Sequence, residues 1–371
     1  MSAIPTYFLD FLSEIRLSDK QLSDLRTAHS ELRQKLKDDD ITKDLLIDSF
    51  LQGSYARSTG IKPEAGHKVD VDVVAVTNID HLSTEAREAF NKVLPFVAKH
   101  YSNYEQQSRS IGISLASVDV DFVITASPSE ETKAQIRKAN LGYAFTVEDL
   151  GNQNGVNTNS SRRTDEKDSL LQFFNLDSTD SGWRSEPLLV PDYDDNEWYR
   201  THPLEQIRWT SFKNQACNGH YINVVRAVKW WKRMNLPNAK HPKSYPLEHF
   251  VGVCCPDAID SVAEGIVRTL ETIAISYPTK PYLADHGVPE HNVFEKLSDG
   301  DYKVFYAEVC KAAPVARAAY DADAVKDSVI LWRKFFADCD EFPEYNGANN
   351  SSGGFTPRTK KAEAVPTGRF G

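Results

Sequence analysis

The chain has 371 residues, 40% hydrophobic and 26% charged, with a formal net charge of −10. That composition suits an ordinary globular protein of two packed units or two lobes. It excludes a membrane-spanning helix, because no run of 18 apolar residues occurs. An acidic balance without a basic tract argues against long DNA or RNA as a partner, although small nucleotides brought in with Mg²⁺ remain compatible. The five cysteines, Cys217, Cys254, Cys255, Cys310 and Cys339, are odd in number and lack zinc-ligand spacing, which predicts reduced thiols in a cytoplasmic protein. The opening MSAIPTYFLDFLSEIR has no basic segment followed by an apolar one, so no secretory signal is expected.

Residues 4–37 carry Leu9, Leu12, Ile15, Leu22, Leu25, Leu32 and Leu36 at helical spacing, and Ser18-Asp19 offers a second start within the span. This predicts packing helices that brace a core. Residues 45–51 form a short apolar strand running into Gln52-Gly53-Ser54, a turn that carries Arg57. Residues 69–76 form a second strand, and 84–100 a helix with Ala86, Phe90, Val93 and Val97 on one face. Residues 111–125 read as a third strand. The expected fold class is α/β (α+β), a mixed sheet followed by a mostly helical lobe.

Residues 148–200 are rich in Asn, Ser, Asp and Gly and read as a lid or inserted loop. Residues 207–235 return to helix, with Tyr221, Val224, Val225, Val228 and Trp231 on an apolar face and Arg226, Lys229 and Arg233 on a basic stripe. Pro237 and the following polar cluster break it. Helices resume at 245 and run to about 336. From 343 the chain reads as a flexible tail ending in Gly371.

Chemistry is carried first by Asp70 and Asp72. They alternate with valines on a strand, so both project from one face. Adjacent carboxylates repel unless a cation lies between them. Mg²⁺ suits such a site, since it is held by one or two carboxylates plus substrate phosphates. The Gly53-Ser54 turn upstream offers backbone N–H groups and a hydroxyl to those phosphates. Asp121, from a separate strand, completes a set for two-metal chemistry, in which ions about 3.5–4 Å apart flank an in-line displacement. One ion would hold the triphosphate and the departing pyrophosphate. The other would activate an acceptor hydroxyl, with Asp121 placed to help accept its proton. Asp119 shares the face of Asp121 and competes with it. Asp121 is preferred because Phe122-Val123-Ile124 follows it directly. On the residues alone, Lys229 reads as a solvated helix face and Tyr245 as a core aromatic at a helix start.

Five blocks in order, GSYARST, HKVDVDVV, SVDVDFVITA, VVRAVKWWK and KSYPLEH, resemble the bacterial cGAS/DncV-like nucleotidyltransferases of the polymerase-β-like superfamily. THPLEQIRW and CNGHYINVVRAVKWW look most like clade D members. The resemblance runs from the first helix to the tail. It implies a polymerase-β-like core at 41–147, preceded by bracing helices at 1–40 and followed by a polar insertion at 148–205, a helical lobe at 206–342 and a tail at 343–371.

It also implies roles. Gln52, Gly53 and Ser54 match the phosphate-gripping turn, and Asp70, Asp72 and Asp121 match the residues that bind two Mg²⁺. Lys229 matches a lysine that touches the donor triphosphate, Ser244 a phosphate-contacting serine, and Tyr245 an aromatic that stacks on the donor base. One departure is Ile124, where many relatives carry proline. Gly371 resembles a terminus that a ubiquitin-transfer-like conjugase joins to other proteins. The implied activity is template-free synthesis of a cyclic oligonucleotide, a trinucleotide containing AMP, from nucleoside triphosphates. The messenger would switch on an effector in anti-phage (CBASS) signalling in the bacterial cytoplasm. The rival readings are a linear template-free nucleotidyltransferase and an inactive nucleotide-binding scaffold.

Overall fold

The computed structural model describes residues 4–130 and 186–347. The first helical stretch is two helices, α1 (Pro5–Ile15) and α2 (Asp19–Asp38). Ser18 caps the second: its Oγ accepts from Gln21 N, and Gln21 Oε1 accepts from Ser18 N. This reciprocal box satisfies two otherwise orphaned donors. The two helices serve different cores. Phe8, Phe11 and Leu12 of α1 pack with Trp332, Phe336 and Phe342 of the helical lobe, whereas Leu25, Leu32 and Leu36 of α2 pack on the sheet.

The sheet has five strands: β1 (Leu46–Gln52), β2 (Val69–Thr77), β3 (Tyr104–Gln106), β4 (Ile111–Ser114) and β5 (Val118–Thr125), in the order β1-β2-β5-β4-β3. β2 and β5 are parallel and every other neighbouring pair is antiparallel. The helix α3 (Gly53–Ala56) is a single turn after β1, and α4 (Ala86–His100) lies in the crossover that parallel strands require.

Two expected elements are divided. Residues 111–125 are not one strand, because the chain reverses at Leu115-Ala116-Ser117 and Leu115 N donates to Val118 O. No Gly, Pro or Asn marks this turn, so alternation carries straight through it. Residues 207–235 are not one helix either. They form α5 (Pro203–Ala216) and α6 (Tyr221–Asn235), separated where Asn218 and Gly219 take φ of 54° and 80°. A left-handed Asn-Gly pair is an ordinary helix stop.

Part of the polar excursion is a hairpin, β6 (Leu188–Asp192) with β7 (Glu197–Thr201). It joins the end of β5 through Ala126 N to Leu189 O. Residues 148–185, on which the lid reading mainly fell, lie outside the described residues. The rest of the helical lobe is α7 (Ser244–Cys254), α8 (Val262–Ser276), a small hairpin of β8 (Ala284–Asp285) and β9 (Val288–Asn292), α9 (Asp299–Asp321) and α10 (Val325–Phe335). Past 342, Tyr345 still packs on the helical core. Gly371 lies outside the described residues. Among the described residues no helix is long and apolar enough to cross a membrane.

Candidate active site

β2 and β5 repeat one pattern side by side. Asp70 pairs with Asp119 and Asp72 with Asp121, while Val69 pairs with Val118 and Val71 with Val120. The four valines belong to the core under α2 and α4, so the four aspartates share the opposite face. Farther along that face, Val74, Val76 and Val123 are covered by Leu188 and Val190 of the β6–β7 hairpin. The apolar cover stops where the aspartates begin.

The turn after β1 is fitted to these acids. Gln52 pairs with Asp72 across the sheet, and the chain then enters α3 through Gly53 at φ +76°. Burial, then Asp121 and Asp70, push the Asp72 carboxyl up to about 7. Asp121 is also raised, first by burial and then by Asp70 and Asp119. Raised carboxyls massed on one face are groups in want of a cation. Asp119 is placed otherwise: Ser114 Oγ donates to it at 2.6 Å, and Lys68 Nζ lies 3.4 Å away. Its charge already has partners. Among the described residues no three His, Cys, Asp or Glu groups form a preformed metal site. The hard oxygen donors of Asp70, Asp72 and Asp121 still fit Mg²⁺, whose coordination shell is ordinarily completed by water and substrate phosphates.

A cleft of about 780 Å³ opens over the acids. Gly53, Ser54, Asp70, Asp72 and Asp121 line its sheet side, and Lys229, Lys232, Arg233, Lys240, Lys243, Ser244 and Tyr245 line its helical side. Acid therefore faces base across the gap, so a chain of acidic balance still presents a locally cationic wall. No side chain caps the start of α7, so the first-turn N–H groups beside Ser244 add to the positive wall.

Comparison with known proteins decides the family. Residues 1–144 match the Second Messenger Oligonucleotide or Dinucleotide Synthetase domain. Over the whole length, the chain is 42% identical to the Probable cyclic AMP-AMP-GMP nucleotide synthase of Salmonella paratyphi B, covering 98% of each protein. It is 39% identical to the Cyclic AMP-AMP-GMP synthase of Enterobacter hormaechei subsp. hoffmannii (strain UCI 50), again covering 98% of each. The chain belongs to the cGAS/DncV-like nucleotidyltransferases. The fold agrees: apo Vibrio cholerae DncV superimposes with a TM-score of 0.61 at 12% identity, covering 89% of this chain and 92% of that one.

As a cGAS/DncV-like enzyme, the protein is a nucleotidyltransferase that makes cyclic oligonucleotides, built on a polymerase-β-like core with a helical lobe. The cleft gathers most of the expected residues of such an enzyme, but not all. Gln52 ends β1 and is not among the cleft-lining residues. Lys229 lines the cleft but is no solvated stripe residue. Only 8% exposed, it donates to Glu248 Oε1 at 2.9 Å and to Thr59 O at 3.0 Å. Ser244 is exposed at the start of α7. Tyr245 donates its hydroxyl to Asp285, and the Arg57 guanidinium lies over its ring at 4.9 Å.

Three participants escaped the reading of this enzyme's sequence as site residues: Arg57, Glu248 and Asp285. Glu248 carried a usable signal. It sits in α7 among Leu247, Phe250 and Val251, and a lone carboxylate on an apolar helix face needs a cationic partner. Asp285, from a two-residue strand some forty positions downstream, gave none.

Proposed function

We propose that this cleft is where the synthase works and that its product is a cyclic trinucleotide of two AMP and one GMP, made from ATP and GTP. One observation supports the chemistry: three carboxylates on the sheet face a cationic wall and a helix start across a single cleft. A nucleoside triphosphate fits there with its phosphates between the two walls. The product reading rests on the full-length likeness to the two synthases.

Asp70, Asp72 and Asp121 would hold two Mg²⁺, which when bound neutralise charge at the transferring phosphate and acidify the acceptor hydroxyl. The chain's own residues do the rest. Gly53 and Ser54 give backbone N–H groups and a hydroxyl to the phosphates. Lys229 and Ser244 meet the triphosphate from the helical side. Tyr245 offers its ring to the donor base, and one such stack is worth about 1–3 kcal/mol. Asp121 takes the acceptor proton. In the bacterial cytoplasm the messenger would activate an effector in antiviral defence, and Gly371 would serve as the conjugation terminus.

Incubation of the purified chain with ATP, GTP and Mg²⁺, followed by mass spectrometry of phosphatase-resistant products, tests this. A cyclic mass containing two AMP and one GMP is expected. A ladder of linear products, or products indifferent to GTP, would count against it.

A further inference from the structure

Three buried charges lie behind the cleft wall, and only two of them line it. Arg57 comes from the end of the α3 turn, and Lys229 and Glu248 come from α6 and α7. Glu248 accepts from Arg57 Nε at 3.0 Å and from Lys229 Nζ at 2.9 Å. The side chains of all three are nearly sealed, at 6%, 8% and 4% exposure respectively. The Glu248 main chain is fixed as well, since Tyr221 Oη donates to its carbonyl at 3.0 Å.

Counting donors shows what this leaves free. A lysine has three N–H donors. Lys229 gives one to Glu248 and one to Thr59 O, so one remains, and the residue lines the cleft. Arg57 engages Glu248 through Nε alone and also lines the cleft. Its position over Tyr245 sets the guanidinium plane. Glu248 itself is not among the cleft-lining residues. One carboxylate thus aims two cations, one from each lobe, at the same space.

We infer that Glu248 is a positioning residue for the donor nucleotide: it holds Arg57 and Lys229 so that the Arg57 Nη edge and the last Lys229 N–H meet the triphosphate together. This adds Arg57 as a second phosphate-binding cation. It also explains why a catalytic wall tolerates a buried carboxylate near three metal-binding acids. Without it, Arg57 and Lys229 would repel each other and swing toward solvent. The inference rests on the reading of this cleft as the triphosphate site.

The test is synthesis by the full chain at varied ATP for the wild type, Glu248→Gln, Glu248→Asp, Lys229→Met and the Lys229→Met/Glu248→Gln pair, with folding checked by circular dichroism. Glu248→Gln should raise KM for ATP roughly tenfold with kcat within about threefold, the mark of lost binding and not of lost chemistry. Glu248→Asp, which keeps the charge one methylene back, should give an intermediate KM. In the Lys229→Met background Glu248→Gln should add less than about threefold, because coupled residues are non-additive. An equal penalty in both backgrounds, or a kcat loss with KM unmoved, overturns the inference. Should Glu248→Gln not fold, Glu248→Asp decides: a raised KM supports positioning and an unchanged KM refutes it. A wild type that turns over no nucleotide sinks the cleft reading and this inference together, whereas an active wild type with an unaltered Glu248→Gln sinks this inference alone.

Discussion

Gly53 and Asp72 share a space that holds no further atom. A Cβ added to Gly53 would lie 1.9 Å from Asp72 Oδ2, and the backbone there has φ +76°. The turn after β1 and the Asp72 carboxylate are thus fitted to each other, although eighteen residues separate them in sequence. Gly53→Ala must either push the carboxylate aside or open the turn. A shift of order 1 Å in a reacting group costs about a hundredfold in rate, and the left-handed backbone adds about 1–2 kcal/mol of strain. The expected outcome is product formation down about a hundredfold or more with the protein still folded. Near-normal turnover by Gly53→Ala would refute the fit.

The raised carboxyl of Asp72 makes a statement about stability. Its folded value, about 7, lies above the ordinary 3.8. The folded state therefore binds the proton more tightly than the unfolded state. The stability this contributes is fully present below the ordinary value and is lost as pH rises through about 7. At ~1.36 kcal/mol per pH unit the loss is at most of order 4 kcal/mol. The metal-free protein should melt lower at about pH 8 than at about pH 5, and Mg²⁺ should raise the melting temperature more at the higher pH. Asp72→Asn should flatten both trends. Thermal melts with and without Mg²⁺ at the two pH values check this, and a Mg²⁺ effect larger at the lower pH would contradict it.

The two strands that carry the acids were legible in the sequence because each residue's face is set by an alternation that needs no partner. Their pairing was not. Nothing in VDVDVV or VDVDFV states that Asp72 lies beside Asp121 and not beside Asp119, because register is fixed by turns and packing far away. The helical half read well wherever an apolar face repeats, as in Tyr221 to Trp231. It failed where only a conformational stop intervenes, at Asn218-Gly219. Lys229 shows the limit most plainly. On a helical wheel it falls on a basic stripe, but its burial depends on Glu248 in the next helix and on Thr59 in the other lobe. Gln52 reads as part of the turn by its adjacency to Gly53; it ends β1 in register with Asp72 and is not among the residues that line the cleft.

Asp119 and Asp121 share a face but not a fate. Lys68 and Ser114 already engage Asp119, which is exposed, whereas Asp121 lies at the cleft and is raised by its acidic neighbours. Asp121→Asn should abolish product. Asp119→Asn should leave turnover within a few fold and cost no more than about 1 kcal/mol, the usual worth of an exposed ion pair. Rate assays on the two single variants discriminate. An inactive Asp119→Asn beside an active Asp121→Asn would exchange the assignments.

Tyr245 is held at two points. Its hydroxyl donates to Asp285, which also accepts from Gln206 Nε2 at 3.1 Å, and Arg57 lies over the ring. Burial, then Asp285, raise the phenol well above its ordinary value, so it remains a neutral donor at every working pH. On the proposed reading, a ring fixed in this way would stack on the donor base with its orientation entropy already lost on folding and not on binding. Tyr245→Ala should weaken ATP binding by about 1–3 kcal/mol. Tyr245→Phe keeps the ring and frees its tip, so a smaller loss of about threefold, roughly 0.6 kcal/mol, is expected. Because Asp285 acts through that hydroxyl, Asp285→Asn should cost about as much as Tyr245→Phe and should add little to it. Nucleotide binding measured for both single variants and the double variant decides the point. A double variant whose losses simply add would mean that Asp285 serves some group other than the Tyr245 ring.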